Sequence, residues 1–214
     1  MANPMETAAT AADITFTKQP GQVALLRRVQ TLREMAGGEG GICYGLAWVW
    51  MQCKANGSTS TLWDDLAAAQ HKPNTVKAAR LYKDVQGFGG TGDNEAAAQC
   101  GFTLIPKNAD AGIGNKIQYV NIAYPADLKT LAEWFGKAMG DRFFLLSTDL
   151  HVMAASGSKL GKLEFYDPNF GVVSCWKSSG MLAFFKAFFA DPVIRGYWTD
   201  APRRMKVTKV KVKG

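Results

Sequence analysis

The chain has 214 residues, of which 47% are hydrophobic and 20% charged, so one compact core can form without disulfides or a structural metal. The formal net charge is +7, and the excess gathers in the last segment, "RRMKVTKVKVKG", where Arg203, Arg204, Lys206, Lys209, Lys211 and Lys213 meet no acid. No apolar run approaches the roughly 20 residues of a membrane span, and no basic stretch followed by an apolar core marks a cleavable signal.

Residues 1–20 are rich in Ala and Thr and read as a flexible leader ending at Pro20-Gly21. "GQVALLRRVQTLREMAGG" follows with helical spacing of Val23, Leu26, Val29 and Met35, and Gly37-Gly38 ends it. The segment from Cys43 to about Cys53 is apolar nearly all round, the pattern of a helix buried on most sides. Thr61 and Asp64 suggest a cap for "TLWDDLAAAQ", "TVKAARLYKDV" reads as helix, and Asp93 is placed to cap "DNEAAAQCGF". "KIQYVNIAY" reads as a strand. "PADLKTLAEWFGKAMG" is a helix with Pro125 near its start and Gly140 at its end. "RFFLLST", "HVMAASG" and "KLEFYDP" read as three strands, and "GMLAFFKAFFADP" as a helix closed by Pro192. The final lysine-rich segment alternates Lys with Val, as a solvated edge strand does; the sharper alternative is contact with an anionic surface. Helices first and a largely antiparallel sheet afterwards make an α+β class.

The glycine-rich collar Gly37 to Gly41 stands one residue before Cys43 at the start of the buried helix. Free N–H groups and the helix dipole there favour negative charge, which lowers a thiol's pKa and can also hold an oxyanion. The other three cysteines, Cys53, Cys100 and Cys175, form no CxxC or zinc spacing and read as buried and reduced. A nucleophile needs a base, and there are two histidines. His71 lies at a polar helix end, whereas His151 opens an apolar strand and needs a partner. Centring the following hairpin on Lys159 sets Ala155 opposite Leu163, Met153 opposite Phe165 and His151 opposite Asp167, with Glu164 and Tyr166 on the less buried face. Cys43, His151 and Asp167 then form a nucleophile, base and orienting carboxylate. Asp149 is the rival for the third role. The six tryptophans read mostly as core, Trp176 with a place over the cleft as its alternative, and "GFGGTG" (Gly87 to Gly92) reads as a loop because it lacks the phosphate-loop pattern.

"GICYGLAWVW" around Cys43, "HVMAAS" from His151 and "FYDPNFG" around Asp167 stand in the order of three blocks of the YopT/AvrPphB-type cysteine proteases of the papain-like clan, which this sequence resembles from about Gly41 to Gly171. The resemblance implies a papain-like domain over residues 21–214 and thiol proteolysis without cofactor or metal. It implies a bacterial effector or toxin domain, made in the bacterial cytoplasm and passed without a cleavable signal into a host or target cell, where it cuts a specific protein. Three departures stand out. No Asn or Gln lies just before Cys43, leaving backbone N–H groups or Gln30 for the oxyanion. Ala2 replaces the glycine needed for N-myristoylation. The positive net charge does not suit a polybasic substrate. A peptidoglycan amidase or acyltransferase using the same residues, or a silent binding module, are the alternative readings.

Overall fold

The computed structural model describes residues 2–35, 42–68, 71–86, 92–105, 119–136 and 141–213. Helices α1 (Pro4–Ala11), α2 (Gln22–Arg28), α3 (Gln30–Met35), α4 (Cys43–Ala55), α5 (Thr59–Ala67), α6 (Pro73–Gln86) and α7 (Gly92–Gln99) precede most of the sheet. Strand β1 (Thr15–Lys18) lies among them. Then come β2 (Phe102–Leu104), β3 (Tyr119–Asn121), α8 (Pro125–Gly136), β4 (Arg142–Ser147), β5 (Val152–Gly157), β6 (Leu163–Asp167), β7 (Gly171–Cys175), α9 (Ser178–Ala190), α10 (Pro192–Arg195) and β8 (Arg204–Val212). The strands form one antiparallel sheet in the order β1-β7-β6-β5-β4-β8-β2, with β3 also on β8.

Both sheet faces are covered. Phe144, Leu146, Met153, Ala155 and Phe165 join Met5 of α1, Phe135 of α8 and the phenylalanines of α9 in one core. Their alternate neighbours Phe143, Leu145, Ala154 and Tyr166 join α4 and its companions in another. Successive strand residues point to opposite faces, so a strand buried on both reads as a continuous apolar run, and "RFFLLS" is such a run. This corrects the expectation that Glu164 and Tyr166 lie on a less buried face. Tyr166 stacks on Trp50 with centroids 5.3 Å apart, and Glu164 is buried against Lys54 and Lys162. Burial pushes the Glu164 carboxyl up, but the two ammonium groups outweigh it and hold it below its ordinary value.

Those contacts aim α4. Lys54 meets Glu164 and Trp50 meets Tyr166, so the helix runs antiparallel to β6. Four helical residues rise about 6 Å and two strand residues about 6.6 Å, so the two pairings agree. Seven further residues carry the helix about 10 Å on, which takes Cys43 past Asp167 at the end of β6. Gly45 lets α4 lie directly on α6: a Cβ there would stand 1.9 Å from the Ala78 carbonyl oxygen. Gly45→Ala is therefore expected to cost about 1–3 kcal/mol, read as a lower urea midpoint.

Several expectations change. The first twenty residues are not loose: α1 caps on Asn3, whose side chain accepts from Met5 and Glu6 N–H, and β1 pairs with β7. The long helix after Pro20 divides at Val29 (φ −122°, ψ 84°) into α2 and α3. Helix α5 begins at Thr59, so Thr61 is inside it, and Asp93 lies inside α7, where it accepts from Tyr44 OH (2.9 Å) and Lys206 Nζ (2.9 Å). β8 is no edge strand, because β4 pairs on one side and β2 and β3 on the other. Lysines tolerate that position by finding partners: Lys206 pairs with Asp93, and Lys209 lies 4.9 Å from the Trp134 ring centroid. Trp176 is 65% exposed rather than core. The collar at 37–41, most of the "GFGGTG" loop and Gly140 lie outside the described residues.

Candidate active site

Cys43 is the first residue of α4. The preceding Ile42 makes no side-chain cap, so no side chain of its own competes for the N–H groups at this helix end. His151 lies just before β5, where a tight turn holds it: its N–H donates to Thr148 Oγ1 (2.9 Å), and Thr148 N and Oγ1 both donate to its carbonyl (2.9 and 3.0 Å). Asp167 ends β6 and is wholly buried.

The hairpin register differs from the expected one by two residues, with Ala155 opposite Phe165 and Gly157 opposite Leu163. The turn is closed by Ser158 N donating to Lys162 O (2.9 Å) and Gly161 N to Ser158 O (2.9 Å), so it centres beyond Lys159. A shift of two preserves the face, whereas a shift of one would reverse it. His151 and Asp167 thus still meet, diagonally, with Nε2 3.1 Å from Oδ1.

Asp167 is held by three groups. Oδ1 takes His151 and also the Asn169 N–H (2.8 Å), and Oδ2 accepts from Tyr197 OH (3.1 Å). The Asp-Pro-Asn order makes an Asx turn, which explains the local need for "DPN". Asn169 Nδ2 donates to Tyr197 OH (3.0 Å), and Gln22 Nε2 donates to Asn169 Oδ1 (2.8 Å). The Tyr197 ring lies over His151 with centroids 4.0 Å apart. A chain of polar groups therefore runs from Gln22 through Asn169 and Tyr197 to Asp167.

With Nε2 engaged by Asp167, Nδ1 is the ring nitrogen left for the Cys43 thiol, which lines the same cleft. Burial pushes that thiol up, but the hydrogen bond and charge of His151, helped by backbone at Val152 and Tyr44, outweigh it and hold the thiol below its ordinary value. Burial alone would lower His151; Asp167 first, then Cys43, raise it to about 10. The arrangement favours a thiolate beside an imidazolium. By contrast, burial pushes the Cys100 thiol up to about 11 and also raises Cys53 and Cys175. All four cysteines are free.

Cys43, His151, Asn169, Tyr197 and Gln22 open onto a cavity of about 520 Å³. Asp149, the rival carboxylate, instead accepts from Thr199 N–H and Oγ1 (3.1 and 3.2 Å). His71 is exposed and contacts Thr31. Gln30 is exposed, donates to Glu34 (2.9 Å) and is not among the residues that line the cleft. Gln22 lines the cleft beside Asn169, and its neighbour Gly21 permits the close approach: a Cβ there would sit 2.4 Å from the Asn169 carbonyl oxygen. Sequence reasoning missed both Gln22 and Tyr197. No group of three or more potential metal ligands occurs among the described residues, and no helix there is long and apolar enough to cross a membrane.

Comparison with solved structures places this architecture among papain-like cysteine protease folds. The Pseudomonas avirulence protein AvrPphB superposes with a TM-score of 0.63 at 14% identity, covering 94% of this chain and 100% of that one. PatoxP, a cysteine protease-like domain of the Photorhabdus asymbiotica toxin PaTox, gives 0.54 at 16% identity, covering 97% of this chain and 56% of that one. No curated protein matches the sequence significantly. The family model described as Yersinia/Haemophilus virulence surface antigen matches residues 10–213, and the chain accordingly belongs to this Peptidase_C58 family of cysteine peptidases.

Proposed function

We propose that this cysteine peptidase acts as an effector on a specific protein, with Cys43 as nucleophile, His151 as acid and base, and Asp167 as the carboxylate that orients and stabilises the imidazolium. The observation that carries the reading is that Cys43 and His151 line one cleft, with the His151 Nε2 3.1 Å from the fully buried Asp167 carboxylate behind it. The thiolate attacks the scissile carbonyl carbon, and the carbonyl π pair moves onto the oxygen. The His151 proton passes to the leaving amine as the C–N bond breaks and a thioester forms. His151 then takes a proton from water, whose oxygen attacks the thioester; the acid product leaves and the thiolate–imidazolium pair returns.

The oxyanion needs donors. One is the backbone N–H of Cys43 at the start of α4. We assign the second to Gln22: it is buried, lines the cleft, spends one amide hydrogen on Asn169 and retains another. Gln22→Ala is expected to lower kcat about 10²-fold. Gln22→Asn, with a shorter reach, should recover little of that loss, which steady-state kinetics on a cleavable peptide measures.

Mapping of new N-termini in a eukaryotic lysate tests the function itself. The expected result is a small set of sites cut by the wild type and by no Cys43→Ala protein. Equal cleavage by both proteins, or none by either, would contradict the proposal.

A further inference from the structure

The cleft has a chemical character that the reacting groups do not explain. Helix α2 supplies Val23 and Arg27 to its wall, α3 supplies Arg33, and the turn before His151 supplies Leu150. Val23 and Leu150 are 51% and 61% exposed, so two aliphatic side chains stand open beside the nucleophile. Arg27 and Arg33 are exposed too, and neither is paired with a carboxylate among the described residues. The described lining contains no Asp or Glu. Elsewhere the chain neutralises cations that line packed surfaces: Lys54 and Lys162 meet Glu164, and Lys206 meets Asp93. Two arginines left open on one wall of a concave site are therefore available to a ligand. A guanidinium offers a fork of donors matched to a carboxylate.

Resting on the proteolytic reading above, we propose that the enzyme selects an acidic segment of its protein substrate: an Asp or Glu side chain near the scissile bond engages Arg27 and Arg33, while an adjacent aliphatic side chain covers Val23 and Leu150. A polybasic segment is disfavoured by the same charges. Val23 and Arg27 are four residues apart, so they share one stripe of α2, and an extended peptide running along that stripe meets both. Helix α2 is fixed to the site at its start, where Gln22 N–H donates to Pro168 O (2.9 Å), so the stripe and the reacting groups keep one geometry.

The test is a peptide library with randomised positions on both sides of the bond, followed by matched peptides carrying Asp, Asn or Lys at the selected position. The wild type is expected to favour Asp over Asn about five- to tenfold in kcat/KM, with the ratio falling as salt is raised from about 50 to about 500 mM. In Arg27→Gln/Arg33→Gln the ratio collapses toward one, and in Arg27→Glu/Arg33→Glu it inverts in favour of Lys. Because the readout is a ratio within each protein, a general loss of activity does not imitate it. Cleavage without acidic preference, or a preference that survives both double substitutions, overturns the inference while leaving proteolysis standing. Failure of the wild type to cut any library member, although Cys43 alkylates readily, overturns the proteolytic reading and the inference with it.

Discussion

Cys43→Ala is expected to abolish peptide-bond cleavage, with the rate falling by at least about 10⁴-fold to the background of the assay. The expectation follows from the chemistry. Removing a nucleophile that acts as a unit with its base costs nearly as much as removing the whole set, and no neighbouring thiol can replace it. Cys53 belongs to the same helix but lies near its other end, and burial raises its pKa, as it does that of Cys100. The fold should survive. The change deletes one sulfur atom at the margin of a cleft, so the melting temperature should move by no more than about 4 °C. Activity and thermal unfolding measured on the same preparation separate the two effects.

Asp167→Ala is expected to be as damaging, and for two reasons at once. It leaves His151 Nε2, the Asn169 N–H and Tyr197 OH facing a buried space without their acceptor. Loss of one partner from a buried charged network costs about 3–5 kcal/mol. Cleavage should also fall about 10⁴-fold, because the imidazole loses its orientation and the charge that stabilises its cation. Asp167→Asn separates these effects, since it keeps an acceptor of the same shape but removes the charge. Its stability loss should be smaller and should depend on pH. His151 is raised from 6.5 to about 10 chiefly by Asp167. A raised folded-state pKa contributes stability that is fully present below about 6.5 and is lost as pH climbs through about 10. The stability gap between the wild type and Asp167→Asn should therefore be widest in mild acid and should close toward a pH of about 10. Cys43 acts in the opposite sense: its lowered pKa contributes stability above the ordinary thiol value of 9.0, lost as pH falls through the folded-state value. Urea titrations in a Cys43→Ala background remove that opposing contribution and leave the part of the His151 effect that Asp167 supplies.

Some of this site can be read directly from the residues. Apolar residues all round α4 announce a buried helix, and "HVMAAS" and "FYDPNFG" place a histidine and an aspartate at the ends of adjacent strands. The face shared by His151 and Asp167 survived an error of two in the register because side-chain direction repeats every two residues. The contributions of Gln22 and Tyr197 are not legible in this way. Each is a single polar residue far along the chain from its partners, and only the packing of α2 against Pro168 and Asn169, and of the segment after α10 against His151, brings them in. The first twenty residues misled for a different reason. Their alanines resemble a loose tail, yet small side chains are what allow α1 to lie closely on α9, with Ala8 and Ala9 buried. The lysines of β8 misled because alternating Lys and Val describes a solvated edge as well as it describes an inner strand whose cations find an aspartate or an indole.

The central claim is that Cys43 is a thiolate held by an imidazolium, and the rate of Cys43 alkylation against pH tests it most directly. Wild-type protein and His151→Ala are treated with iodoacetamide, and modification at Cys43 is followed by mass spectrometry. The account predicts rapid reaction of the wild type well below neutral pH, and in His151→Ala a reaction that appears only as pH approaches the range of an ordinary or buried thiol. A Cys43 that is inert, or that titrates alike in both proteins, would contradict the account.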